Sequence, residues 1–363
     1  MRSALLKEDG GLLCLEDVEP NGLNADEILV RIAGVGICHT DLTAIDGALP
    51  LPRPVVLGHE GAGVIEAVGA AVTALAVGDH VVLSFDSCRQ CRVCASGHPA
   101  YCKQFAALNY GGTRLDRTTT LRQGAGNVHG SWFGQSSFGS HAIASVRNAV
   151  KVDNDLPIEL LGPLGCGLLT GAATVLNVHK PHPGQSLGVW GVGAVGLAAI
   201  MAAKVADCDP IVAVDPNPRR LDVARQLGAT QVFNPAESPN LPRDIAAVTG
   251  GLDFTVECVG TEPVIRQALN SLGSPGSCAT LGLAGPRNEV SIDQGRILLG
   301  RTLTGVIEGD ADPHAFIPRL TELWRAGQFP FETLIRTYPL ENINEAIGEF
   351  RAGNVIKPVL VTA

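Results

Sequence analysis

Six cysteines have the spacing and the company to do metal chemistry. Cys88, Cys91, Cys94 and Cys102 form a Cys88-x2-Cys91-x2-Cys94-x7-Cys102 run. Four thiolates so close in the chain can close a tetrahedral zinc site, which is structural because no position is left for a reactant. An iron–sulfur cluster also takes four cysteines, but nothing else in the chain suggests electron transfer. Cys38 and Cys166 lie far apart, with His59 between them in sequence. Brought together by folding, two thiolates and an imidazole would make a three-ligand zinc site with one position open, as catalytic zinc requires.

A second constellation suits a dinucleotide. Gly191-x-Gly193-x-x-Gly196 lies between an apolar run, SLGVW (186–190), and a helical one, LAAIMAAKVA (197–206). In such a turn the first glycine makes the bend and the second lets the backbone approach a pyrophosphate. The third allows helix to pack on strand. Val195 lies in the same turn, whose helix N-terminus faces the phosphates. Asp215 ends the next strand, IVAVD, where a carboxylate accepts from ribose hydroxyls and favours NAD over NADP. Arg220 could bond the adenosine ribose or be an ordinary surface charge, and Arg219 beside it complicates the choice between cofactors.

Elements must position these groups. The first 150 residues show short β-branched runs broken by glycine (EILVRIAGVG, HEGAGVIEAVG, GDHVVLSF), a mostly antiparallel β pattern. The segment from Lys103 to Gly139 reads as a long, functional loop. From about residue 168 strands alternate with helices, the signature of a doubly wound parallel sheet. The closing PVLVTA reads as a strand returning to the first domain. The expected division is therefore 1–167 with 303–363 around an inserted 168–302.

Composition narrows the classes. With 45% hydrophobic and 17% charged residues the chain can build packed cores, yet it lacks an apolar run of 18 or more residues that would read as a membrane span. The opening MRSALLKEDGG does not resemble a secretion signal, so a cytoplasmic location is expected. A net charge of −9 without a basic stripe argues against nucleic acid, and against reading the cysteine run as the zinc module of a binding protein. Ten cysteines without a leader read as ligands and free thiols. Cys14, Cys208, Cys258 and Cys278 are expected as small buried hydrophobes.

Three segments carry a resemblance: Gly36-Ile37-Cys38-His39-Thr40-Asp41, then Gly58-His59-Glu60-x2-Gly63-x5-Gly69-x2-Val72, then Gly165-Cys166-Gly167. Together with the four-cysteine run, and on to Ile356-Lys357-Pro358, they resemble the zinc-containing medium-chain alcohol dehydrogenases over essentially the whole chain. The resemblance implies a GroES-like, mostly-β catalytic domain with an inserted Rossmann domain, two zincs per chain, and hydride transfer between an alcohol and NAD. It implies Cys38, His59 and Cys166 as catalytic zinc ligands, Glu60 as a carboxylate able to approach the metal, and Asp41 as the partner of His59. A local turn cap is the other reading of Asp41. It also implies Thr40 as the first member of a proton relay and Lys357 as a pyrophosphate contact.

Many relatives carry a histidine where this chain has Thr43. His39 is left either to end the relay or to contact the pyrophosphate. The stretches His129-Gly130-x2-Phe133-Gly134-Gln135-Ser136-Ser137-Phe138, Gly305–Asp310 and Phe316–Leu320 are similar to the bacterial aryl-alcohol branch. That similarity implies primary aromatic or allylic alcohols. The alternatives are glutathione-dependent formaldehyde dehydrogenase and a primary alcohol dehydrogenase that keeps its NAD. A homodimer is expected, with a tetramer as the alternative.

Overall fold

The β-branched runs of the first part form sheet strands because each can bury one or both faces. Glu27–Gly36 is the longest, and nearly all its side chains are buried or half-buried. In the computed structural model, which describes residues 1–285 and 287–362, it lies inside a sheet ordered Ala149–Val152, His80–Leu83, Glu60–Val68, Glu27–Gly36, Lys357–Val361, Ile335–Pro339. The strand His141–Ser145 pairs with it too. Two registers matter for chemistry: Gly36 stands opposite Glu60 and also opposite Val359. Residues just past Gly36, just before Glu60 and at the start of the last strand therefore meet.

The alternating half becomes a six-stranded parallel sheet, ordered Gln231–Phe233, Ile211–Val214, Leu187–Trp190, Leu252–Glu257, Leu272–Thr280, Arg301–Gly305. In sequence order this is 3-2-1-4-5-6, the dinucleotide-binding winding. The order reverses between Leu187–Trp190 and Leu252–Glu257, and ligands bind beyond the carboxyl ends of strands at such a switch point. Gly191 follows Trp190 there. Its core joins Trp190, Val212 and Val214 to Ile245, Leu269 and Cys278.

The chain divides into two compact units: Met1–Cys166 with Asp312–Thr321 and Phe331–Ala363, and Gly167–Ala311 with Glu322–Pro330. The boundary expected at 302/303 would cut the strand Arg301–Gly305. Its pairing with Leu272–Thr280 keeps it in the parallel sheet.

Two other expectations need correction. Lys103–Gly139 is not a plain loop. It holds a helix at Phe105–Asn109, strands at Leu121–Gln123 and Gly126–Val128, and buried Trp132, Phe133 and Phe138. Cys14 is exposed at the start of the strand Cys14–Asp17, which stands at the edge of its sheet and among the described residues pairs with Arg2–Leu6 alone. Cys258 is half-buried, and Cys208 and Cys278 are buried. Among the described residues no helix is long and apolar enough to cross a membrane.

Candidate active site

The sheet registers deliver the ligand set. Cys38 caps the helix His39–Ile45 just beyond Gly36, and His59 immediately precedes the strand Glu60–Val68. Cys166 follows the 3-10 turn Gly162–Gly165, which Ser84 Oγ ties down by donating to Gly165 O at 2.5 Å. One ligand atom each from Cys38, His59, Glu60 and Cys166 lies within 4.8 Å of every other. His59 is fully buried, and its Nδ1 lies 2.9 Å from Asp41 Oδ1. The carboxylate can only accept, so the bond fixes the tautomer with the proton on Nδ1. Nε2 is left buried without a hydrogen-bond partner. An orphaned buried nitrogen costs free energy. A metal at the sulfurs beside it removes that cost, so the residues fit zinc.

Asp41 serves both readings of it. Oδ2 accepts from the Cys38 backbone N–H at 3.1 Å as a helix cap, while Oδ1 accepts from Gly58 N–H and from His59. Electrostatics bind the cluster further. The Cys166 thiol, with His59 and Lys357 helping against burial, holds the Cys38 thiol well below its ordinary value. Burial lowers the His59 value, but Asp41 and the Cys38 sulfur outweigh it and raise it well above the usual range.

Lys357 departs from expectation. It is 2% exposed, and its Nζ donates to Glu60 Oε1 at 2.9 Å, to Glu60 Oε2 at 2.8 Å and to Ile37 O at 3.1 Å. An ammonium has three donors, so none is left for a pyrophosphate. Gly36 opposite both Glu60 and Val359 explains the pairing. Burial acts to lower the Lys357 value, yet Glu60 outweighs it and raises it. Glu60 itself is pushed up by burial in spite of Lys357.

The relay candidates flank this cluster. Thr40 Oγ1 lies 3.8 Å from Cys38 Sγ. Thr43 Oγ1 donates to His39 O at 2.9 Å, folded back on its own helix turn. His39 is exposed, with its ring edge-on to Phe350 at 4.5 Å.

Five of the sixteen aromatic residues form one cluster, in which Trp132 and Phe133 meet the His59 ring and Phe105, Tyr110 and Phe85 pack behind them. Phe133 stacks on the imidazole at 4.3 Å and 21°. The sequence reading named Phe133 only within the stretch similar to the aryl-alcohol branch and gave the other four no role. Gln135 entered the sequence reading only within that same stretch, but its Nε2 donates to His59 O and Ser84 O and its Oε1 accepts from Gly61 N–H. A buried amide so fully used locks the strand carrying His59.

Cys88, Cys91, Cys94 and Cys102 also bring their sulfurs within 4.8 Å of one another. Backbone N–H groups of Cys88, Cys91 and Gln104 point at sulfurs at 3.3–3.4 Å. Amides of Cys94 and Lys103 draw the Cys91 thiol down to about 6, while burial pushes Cys94 up to about 12. Four sulfurs this close cannot all ionise without a cation among them, which suits a closed metal site.

In the parallel-sheet unit Gly191 takes φ +82°, the left-handed conformation that glycine tolerates. A Cβ at Gly196 would meet Gly191 O at 2.1 Å, whereas one at Gly193 would meet nothing within 4 Å. The turn is closed on its packing side and open where a phosphate would lie. Val195 is half-buried on the first turn of Ala194–Val205. Asp215 accepts from Val192 N–H at 2.9 Å and Asn217 N–H at 2.8 Å, leaving lone pairs for a ribose. Arg220 has a buried Nε without a partner, and Arg219 is exposed.

Comparisons with known proteins agree with this architecture. Residues 24–153 match the family model "Alcohol dehydrogenase GroES-like domain" and residues 194–324 match "Zinc-binding dehydrogenase". The chain is 46% identical to the geraniol dehydrogenase of Castellaniella defragrans, over 99% of this chain and 97% of that protein. It therefore belongs to the zinc-containing medium-chain alcohol dehydrogenases, as a zinc-dependent oxidoreductase of alcohols. Two solved structures are similar throughout. Benzyl alcohol dehydrogenase from Acinetobacter calcoaceticus has a TM-score of 0.96 at 41% identity, covering 100% of this chain and 99% of that one. An alcohol dehydrogenase zinc-binding domain protein from Burkholderia ambifaria has 0.97 at 44%, covering 99% and 98%.

Proposed function

We propose that this chain interconverts primary allylic or aromatic alcohols and their aldehydes with NAD. The observation that carries the metal assignment is the buried, partnerless Nε2 of His59 among the Cys38 and Cys166 sulfurs. Cys38, His59 and Cys166 would hold one zinc, and Cys88, Cys91, Cys94 and Cys102 a second. Gly191, Gly193, Val195, Gly196, Asp215 and Arg220 would hold NAD. When bound, zinc supplies Lewis acidity to the alcohol oxygen and NAD accepts the hydride.

The chain's own residues do the rest. Asp41 keeps the His59 tautomer that leaves Nε2 free, and second partners of this kind also raise ligand basicity. Glu60 is held by Lys357 beside the sulfurs, near enough to approach the metal. The Thr40 hydroxyl takes the alcohol proton and passes it outward. His39, exposed one residue earlier, is the titratable group able to hand it to water. If His39→Gln leaves the pH dependence of hydride transfer unchanged, His39 is not the base.

The substrate class is supported by the aromatic side chains packed beside His59 and by the names of two relatives, geraniol and benzyl alcohol dehydrogenase. A kcat/KM panel with NAD and NADP tests it, using geraniol, benzyl alcohol, hexanol and S-hydroxymethylglutathione. Geraniol or benzyl alcohol with NAD should lead. A lead for S-hydroxymethylglutathione would make the chain a formaldehyde dehydrogenase, and cofactor surviving gel filtration would mean that NAD is retained. A homodimer, read by light scattering, and a cytoplasmic location, read by cell fractionation, complete the proposal.

A further inference from the structure

We propose that Trp132 is a positioning residue for His59: its indole N–H holds the Asp41 carboxylate that orients the imidazole, and so controls how firmly the three-ligand site keeps its metal. This rests on the reading of Cys38, His59 and Cys166 as a metal site.

Asp41 is fully buried, and among the described residues no Lys or Arg bonds to it. Its charge is met by four N–H donors instead. Oδ2 accepts from Cys38 N–H, and Oδ1 accepts from Gly58 N–H at 3.2 Å, His59 Nδ1–H at 2.9 Å and Trp132 Nε1–H at 2.9 Å. Two of these donors are backbone groups of the ligand-bearing segments, and the third is the ligand itself. The indole is therefore the one donor that comes from outside residues 38–59. A carboxylate buried without a cation depends on each hydrogen bond it accepts. Without the indole, Oδ1 keeps only its bonds to Gly58 and His59 and Oδ2 its bond to Cys38, so the carboxylate and the imidazole it orients are held less firmly.

Trp132 is placed to act as a fixed point. It is fully buried, and its backbone N–H donates to Ser136 Oγ at 2.9 Å, while that hydroxyl donates to Val56 O at 2.6 Å. The next residue holds the same imidazole by its face. Phe133 has φ +51°, a costly conformation for a bulky side chain. Asn148 Nδ2 fixes it by donating to the carbonyls of Phe133 and Gly134. In that pose its ring stacks on His59 at 4.3 Å. Edge and face of one ligand are thus held by consecutive residues of a remote segment. A buried indole that merely needed a partner could have bonded any carbonyl. Here it bonds the carboxylate shared with the metal ligand.

The test is zinc release from the purified holoenzyme to a chromophoric chelator, with the four-cysteine site as internal reference. Trp132→Phe keeps an aromatic ring and removes the donor. The phase from the three-ligand site should quicken about 10-fold or more, within the range known for partners of metal ligands, while the four-cysteine phase stays unchanged. In cobalt-substituted enzyme the visible bands of the three-ligand site should shift. Added to Asp41→Asn, Trp132→Phe should accelerate release no further, since both act through the same side chain at position 41. An unchanged phase and spectrum, equal acceleration of both phases with a lowered Tm, or simple additivity with Asp41→Asn would each overturn the inference. If wild-type enzyme holds only the four-cysteine metal, the reading beneath it falls as well. Should Trp132→Phe fail to fold, benzothienylalanine at position 132, an indole isostere without the N–H, gives the same comparison.

Discussion

Lys357 shows how a single residue can be placed correctly in sequence and still be misread. Its position near the end of the chain resembles a cofactor contact, but the strand pairing of Val359 with Gly36 buries it against Glu60. Breaking such a pair leaves an uncompensated buried charge, at a cost of about 3–5 kcal/mol. Lys357→Met should lower stability in urea by that order, and Glu60→Gln in the same chain should restore much of it. The NAD dissociation constant of the double variant should stay near wild type. A large loss of NAD affinity would restore the pyrophosphate role. Asp41 was legible through the resemblance, which paired it with His59, and the alternative reading as a cap holds as well. Trp132 and Gln135 were not, because their partners lie 76–91 residues away in sequence and only the folded sheet brings them close.

At the scale of elements, the glycine turn makes a pair of opposed predictions. Gly193→Ala meets open space, so it should leave Tm unchanged while its methyl occupies the pyrophosphate path and raises KM for NAD. Gly196→Ala drives a methyl into Gly191 O and should destabilise by about 1–3 kcal/mol, as overpacking does. Equal effects on Tm would refute this assignment of roles. Another element sets a pH limit. Burial depresses His179, at the end of the turn Thr174–His179, to about 4. An unfolded histidine takes its proton near 6.5. The folded state therefore has full stability above about pH 6.5 and loses roughly 3 kcal/mol as pH falls to about 4. Urea midpoints at pH 7 and pH 5 should show the fall, and His179→Gln should flatten it.

The parallel sheet was largely visible in advance, since a buried strand followed by glycines and an apolar helix leaves few other readings. Its far side was less so. The strand Leu272–Thr280 begins LGSP, which reads as a turn, and only pairing with Leu252–Glu257 and Arg301–Gly305 extends it.

For the whole molecule, metal content joins the separate readings. Local spacing identified the four-cysteine site, whereas the three-ligand site needed two strands in register and a turn more than 100 residues later. The two sites should therefore respond differently to damage. Measuring zinc per chain and kcat with geraniol or benzyl alcohol in wild type and in His59→Ala tests the account most directly. Wild type should carry two zincs, and His59→Ala should keep the four-cysteine zinc, lose the other and lose activity by about 10³-fold or more. Two zincs retained with activity intact in His59→Ala, or a single zinc in fully active wild type, would contradict it.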